Sequence, residues 1–209
     1  MLELYAFATP NSVKIPIALE ELGIAYQLKP INVRRGEQKD QSFLTLNPNG
    51  KVPVLFDPDG PDGKPLTLSE SAAILIYLAE KTGRLLPVTG AMRARVFEQL
   101  FFHASGLGPA FGQAGFFKRN DEKLPLAINR FETEARRVLS VLDGVLARSF
   151  YVAGDELTIA DIAHFGWLWR REFAGIDFIE APNVARWYEA MEQRPAVGKA
   201  IARLNGVTG

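Results

Sequence analysis

The 209-residue chain contains no cysteine. Disulfide scaffolding, cysteine-ligated zinc and every mechanism that uses a protein thiol are excluded by that absence. Histidine is scarce, limited to His103 and His164. There is no Ser–His–Asp order, no metal-ligand cluster and no phosphate-cradling glycine loop, so no metal is expected. Charge of one sign is missing too: 24 Lys and Arg balance 24 Asp and Glu. That balance removes the electrostatic footprint of a dedicated nucleic-acid binder. No apolar run approaches the roughly 20 residues a bilayer span needs. The opening MLELYAFATPNS lacks the basic-then-apolar plan of a signal peptide. The chain therefore reads as soluble and cytoplasmic, with neither nucleic acid nor membrane as a partner. With 47% hydrophobic and 23% charged residues it has enough apolar material to fold rather than stay disordered.

Two textures divide the sequence. Residues 2–7, LELYAF, alternate as a strand does and run into the turn TPNS. Helical spacing follows in VKIPIALEEL (13–22), with Gly23 as its stop. Pro16 is tolerable only in a first turn, which puts the helix start near Asn11–Ser12. IAYQLKPINV (24–33) reads as a second strand and QSFLTLNP (41–48) as a short irregular helix. KVPVLFD (51–57) and KPLTL (64–68) form a hairpin signal around PDGPDG, and SESAAILIYLAEKTG (69–83) is a helix stopped by Gly83. Beyond RLLPVTG, strand signals vanish and four long stretches carry helical periodicity; Leu139, Leu142, Val145 and Leu146 form one apolar face. Thr158 and Asp161 in LTIADI have the spacing of a capping box. These textures predict an α/β domain over 1–83, a linker at 84–90 and an all-helical domain over 91–209.

Three places could carry chemistry, and each has a structural alternative. Thr9-Pro10-Asn11-Ser12 sets two hydroxyls and a carboxamide at a helix N-terminus, where an anion is favoured. N-capping by Asn11 or Ser12 explains the same residues. Val52-Pro53 opens a strand; a cis peptide there would leave the Val52 N–H and C=O free to pair with an extended peptide, whereas an edge-strand proline needs no ligand. Glu70 and Ser71 could receive the ammonium and carboxylate of a free amino-acid end, or Ser69 could simply cap the helix. His103, His164 and Tyr5 read as structural, and Phe101, Phe102, Phe111, Phe116 and Phe117 as core or interface.

The order and spacing of these signals resemble the cytosolic glutathione transferases, which pair a thioredoxin-like first domain with a helical second one. The likeness lies in TPNSVKIPIALEELGIAY, NPNGKVPVL, LSESAAILIYLAEKTG and YVAGDELTIADI, which together cover almost the whole chain. Within the family, TPN before a helix, RRGEQ, GLGPAFGQ (106–113) and INRFETEARRVLSVLD resemble the nu class. That group includes bacterial glutathione-dependent disulfide-bond oxidoreductases and is close to a fungal nitrogen-regulator protein of the same fold.

The resemblance implies roles residue by residue. Thr9 and Asn11 would hold the glutathione sulfur, Gln38 the glycyl end, and Val52 before cis Pro53 the cysteinyl backbone. Glu70 and Ser71 would take the γ-glutamyl ammonium and carboxylate, and Arg130 would be a further contact. Ser12 stands where the nu pattern has glycine, so it competes with Thr9 and Asn11 for the sulfur. Glutathione is thus the expected co-substrate, a small electrophile or disulfide the second substrate, and the helical domain the place of the electrophile site and of homodimer contacts. The expected activity is reduction of disulfides or peroxides, with conjugation beside it. The alternative is a non-catalytic regulatory or interaction protein on the same fold.

Overall fold

Strand β1 (Leu2–Ala6) buries Leu2, Leu4 and Ala6 and leaves Glu3 and Tyr5 on its other face, as a period of two requires. The structure, a computed structural model, describes residues 1–206. The last three residues of the expected helical domain lie outside them. Helix α1 (Lys14–Leu22) starts later than the sequence suggests, with Val13 as its N-cap and no side-chain cap. Pro16 then falls in the first turn, where its missing N–H costs nothing. At the other end Gly23 turns left-handed (φ 71°), and the Ile24 N–H returns to Leu19 O at 2.9 Å.

Strand β2 (Tyr26–Pro30) is shorter than the expected 24–33. A 3-10 turn (Glu37–Lys39) and the four-residue helix α2 (Gln41–Leu44) lead to β3 (Val54–Asp57) and β4 (Leu66–Ser69). Helix α3 (Ser71–Thr82) follows and ends at Gly83. The sheet order is β2-β1-β3-β4, with β1 parallel to β2 and antiparallel to β3, and β3 antiparallel to β4. Its register matters most here. Ala6 pairs with Pro30, Tyr5 with Val54, and Val54 with Ser69. The ends of β1, β2 and β4 and the start of β3 therefore share one edge of the sheet.

Two compact units emerge, Met1–Arg84 with the segment from Arg194 onward, and Leu85–Gln193. The last helix, α10 (Pro195–Asn205), thus belongs with the α/β unit instead of the helical one. It buries Ala196, Val197, Ala200 and Leu204 and packs on α1. Arg194 forks onto Glu21 (Nε–Oε1 2.5 Å, Nη2–Oε2 3.0 Å), and Arg203 reaches Glu20 at 3.3 Å.

The second unit holds α4 (Gly90–Phe102), a π-helical turn (His103–Leu107), α5 (Gly108–Arg119), α6 (Pro125–Leu146), α7 (Ile159–Leu168), the short α8 (Arg171–Ala174) and α9 (Pro182–Glu192). The expected linker is tied down: Leu86 is buried and the Leu85 carbonyl accepts the Ile159 N–H at 3.0 Å. α6 buries Leu139, Leu142 and Leu146 of the expected face together with Val138, whereas Val145 is only half-buried. Asp143 of α6 serves the start of α9. Its carboxylate accepts the N–H groups of Asn183 (2.8 Å) and Val184 (3.0 Å) at a helix start whose own N-cap offers no side chain. The capping box of α7 is present, with Thr158 Oγ1 accepting from Ala160 and Asp161 accepting the Thr158 N–H at 2.9 Å. Among the described residues no helix is long and apolar enough to cross a membrane.

Candidate functional site

The shared sheet edge gathers the candidate residues of the first unit. The turn after β1 carries Thr9 and Asn11, and the junction of β4 with α3 carries Glu70 and Ser71. Between them lies the approach to β3, with Val52. The loop after β2 adds Gln38.

Each segment is held by its own side chains. Asn47, buried, donates from Nδ2 to Lys51 O (2.7 Å) and accepts the Asn49 N–H (3.1 Å), which folds the loop that delivers Val52. Gly50, at φ 63°, lies so near that a Cβ would sit 3.2 Å from Gln38 O, which brings this loop against the Gln38 turn. Glu37 Oε2 accepts the Asn32 N–H at 2.6 Å and fixes that turn. The Val52–Pro53 bond is cis. Among the described residues the Val52 N–H and C=O make no backbone hydrogen bond. Gln38 Oε1 is buried and accepts nothing among them. A buried acceptor left open is costly without a partner.

Neither helix start uses its polar residues as caps. α1 is capped by Val13 and α3 by Glu70, both without a side-chain bond, and Ser69 lies in β4. The capping explanation of Asn11, Ser12 and Ser69 therefore fails. Glu70 is exposed and holds φ 69°, ψ 111°, a left-handed region that a non-glycine residue occupies at a cost of about 1–3 kcal/mol.

Ser12 is fully buried. Its Oγ accepts from Thr9 Oγ1 at 3.0 Å, while its N–H donates to Thr9 Oγ1 at 3.2 Å. It braces Thr9 from beneath. Asn11, by contrast, is exposed. Tyr5 donates its hydroxyl to Glu3 (2.8 Å), and burial together with that carboxylate pushes the phenol pKa up. Such a phenol is occupied on the strand.

One residue escaped the sequence reading. Lys14 is almost completely buried, and its Nζ donates to Asn11 Oδ1 (2.8 Å) and Ser71 Oγ (3.1 Å). It joins two of the three candidate places directly. Burial pushes its ammonium down to about 7, against the pull of Glu70. The signal was a lysine within VKIPI, one turn after Asn11 and surrounded by apolar residues.

Arg130 lies on α6 of the second unit, exposed, and its charge helps hold Glu134 below the usual carboxylate range, behind the Arg137 hydrogen bond. His103 and His164 are buried in the same unit, edge to face at 5.1 Å. Among the described residues no group of three or more His, Asp or Glu could hold a metal ion.

The chain matches the family models described as Glutathione S-transferase, N-terminal domain, over residues 8–81 and Glutathione S-transferase, C-terminal domain, over residues 108–195. It belongs to the glutathione S-transferase family. Among relatives, it is 39% identical to the disulfide-bond oxidoreductase YfcG of Escherichia coli, over 97% of this chain and 95% of that one. It is 40% identical to the disulfide-bond oxidoreductase YghU of the same organism, over 98% and 76%. A glutathione transferase family member from Pseudomonas fluorescens Pf-5, solved with two glutathione bound, superposes with a TM-score of 0.91 at 39% identity, covering 96% of this chain and 92% of that one. A glutathione transferase from Pseudomonas putida, solved with one glutathione disulfide bound per subunit, gives 0.89 at 38% identity, covering 96% and 90%. The thioredoxin-like domain followed by a helical one, expected from the sequence, is therefore the fold.

Proposed function

We propose that this chain reduces disulfides or peroxides through the thiolate of bound glutathione, with conjugation of electrophiles as a lesser activity. The observation that carries the reading is the unpaired Val52 backbone. It lies on the sheet edge between a donor-bearing turn at Thr9–Asn11 and an acidic-hydroxyl pair at Glu70–Ser71. A tripeptide with an extended middle and one free amino-acid end needs that arrangement.

Glu70 and Ser71 take the γ-glutamyl ammonium and carboxylate, the latter beside the open amides that start α3. Val52 pairs with the cysteinyl backbone. Gln38 Oε1 accepts the glycyl N–H while its amide group donates to the glycyl carboxylate. Asn11 and Thr9 hold the sulfur as an anion, Thr9 once its hydroxyl turns outward and Ser12 donates to it in return. Arg130 is retained as a further glutathione contact on the family likeness alone. A glutathione thiol of ordinary pKa, about 8.5, lowered by about two units corresponds to roughly 2.7 kcal/mol of anion stabilisation. The thiolate attacks one sulfur of a substrate disulfide, forms a mixed disulfide and expels the other sulfur as a thiolate. A second glutathione thiolate then releases the remaining half and leaves glutathione disulfide. The relatives solved with two glutathione or with glutathione disulfide accord with that stoichiometry.

A panel of a small disulfide, a hydroperoxide and an aryl halide, each with glutathione, tests the reading; turnover of the first two should exceed conjugation. Prior treatment of the protein with a thiol-alkylating reagent should leave activity intact, because the chain has no cysteine. Inertness towards all three would favour the non-catalytic alternative. Glu70→Ala should weaken glutathione binding by about 1.5–3 kcal/mol, one to two decades by calorimetry. Unchanged affinity would remove Glu70 from the site.

The protein works in the cytoplasm as a homodimer in this reading. Phe101 on α4 is 68% exposed next to Phe97, an apolar surface that a second copy would cover. Light scattering should give twice the 23.1 kDa chain mass; a stable monomer at micromolar concentration would end the dimer claim.

A further inference from the structure

Lys14 has no place in the roles just assigned, yet it touches both ends of the candidate site. Lys14 Nζ donates its bonds to Asn11 and Ser71. Its pKa is lowered to about 7 in the ligand-free site. The glutathione carboxylate and thiolate favour the charged form once bound, and an ammonium can only donate. The atom of Asn11 that faces Lys14 Nζ at 2.8 Å is therefore the carbonyl oxygen, and the Asn11 NH2 group is turned the other way. The same holds at Ser71, whose Oγ accepts from Nζ at 3.1 Å, so its own proton points elsewhere. One buried Nζ thus occupies an acceptor site on each of two residues and turns their donors away from itself. Without it the Asn11 amide could rotate and present oxygen, which repels a thiolate.

We propose that Lys14 is a positioning residue that orients the Asn11 amide as a donor towards the glutathione sulfur and the Ser71 hydroxyl as a donor towards the γ-glutamyl carboxylate. The proposal rests on the glutathione site described above. Burial supports a fixed geometry, since Lys14 is 1% exposed and its ammonium has little water to turn to. The charged groups around α1 do not substitute for it. Glu70, at the start of α3, is the charged neighbour that acts on Lys14. Arg194 and Arg203 of the α10 segment are engaged with Glu21 and Glu20, about two turns along α1.

The test is a double-mutant cycle on the full-length protein, with the pKa of bound glutathione read from thiolate absorbance and affinity read by calorimetry. Lys14→Met keeps the volume and should raise the bound thiol pKa by about one unit or more. It should also weaken binding several-fold. Lys14→Leu, of different shape, should do the same, which guards against one substitution simply disturbing the fold. In an Asn11→Ala background, Lys14→Met should raise the thiol pKa no further, because the amide it orients is gone. In a Ser71→Ala background its effect on affinity should shrink while the pKa shift persists. A Lys14→Met shift that adds in full to that of Asn11→Ala would overturn the proposal, since the ammonium would then act on the sulfur directly. So would a thiol pKa that ignores Lys14 in a protein that still binds glutathione. Absence of glutathione binding in the unmutated protein would instead overturn the site itself.

Discussion

Asp161→Ala should destabilise the protein by about 3–5 kcal/mol, the range for removing one partner from a buried charged network. Asp161 is fully buried at the start of α7. Its Oδ1 accepts the Val152 N–H (2.9 Å) and the Trp187 indole N–H (3.0 Å); its Oδ2 accepts the Thr158 N–H (2.9 Å) and hydroxyl (3.0 Å). Burial pushes its carboxyl pKa up, and the bonds from Val152, Thr158 and Trp187 oppose that. Alanine would strand these buried donors and undo the α7 cap, the turn at Val152 and the seat of Trp187 together. Asp161→Asn should cost nearly as much, because one of its faces becomes an NH2 aimed at donors. Scanning calorimetry should show a Tm fall of roughly 6–20 °C for a chain of this size. A fall under about 2 °C would mean that the three segments are held by something else.

The same residue shows how far the sequence could be read. Thr158 and Asp161 were legible as a capping box because both partners lie within one turn. The Val152 and Trp187 bonds were not, since they join positions 9 and 26 residues away. Local periodicity likewise located the strands and α3, and a glycine marked the ends of both α1 and α3. α10 was invisible as part of the α/β unit, because its attachment is the Arg194–Glu21 fork, 173 residues apart. At the candidate site the polar residues stood out, but capping explained them equally well. Only the backbone removed that explanation, by starting α1 at Lys14 and α3 at Ser71. Lys14 was hidden for a different reason. A lysine in an amphipathic helix is normally on the solvent face, and only the apolar neighbours of Lys14 in VKIPI hint that this one turns inward.

That inward turn has a thermodynamic consequence that does not depend on glutathione. Burial lowers the Lys14 pKa from 10.5 to about 7, with Glu70 pulling the other way. Above about pH 7 the folded protein has released the proton, while the unfolded chain keeps it until about pH 10.5. Unfolding therefore takes up a proton in that window, and stability rises with pH at up to about 1.4 kcal/mol per unit. Below pH 7 both states carry the charge and the fold bears the full desolvation cost. Lys14→Met should remove the cost and the slope together, leaving the variant a few kcal/mol more stable at pH 6 and closer to the parent at pH 9. Tyr26 and Tyr188, both pushed up to about 12 chiefly by burial, have the opposite sign, since the unfolded chain ionises its tyrosines from about pH 10. They are common to both proteins and cancel in the difference. Urea unfolding of the pair without glutathione, from pH 6 to 9.5, isolates the Lys14 contribution. A difference that stays flat would show Lys14 keeping its proton throughout, with a ligand-free site that hydrates or pairs the ammonium well enough to offset its burial.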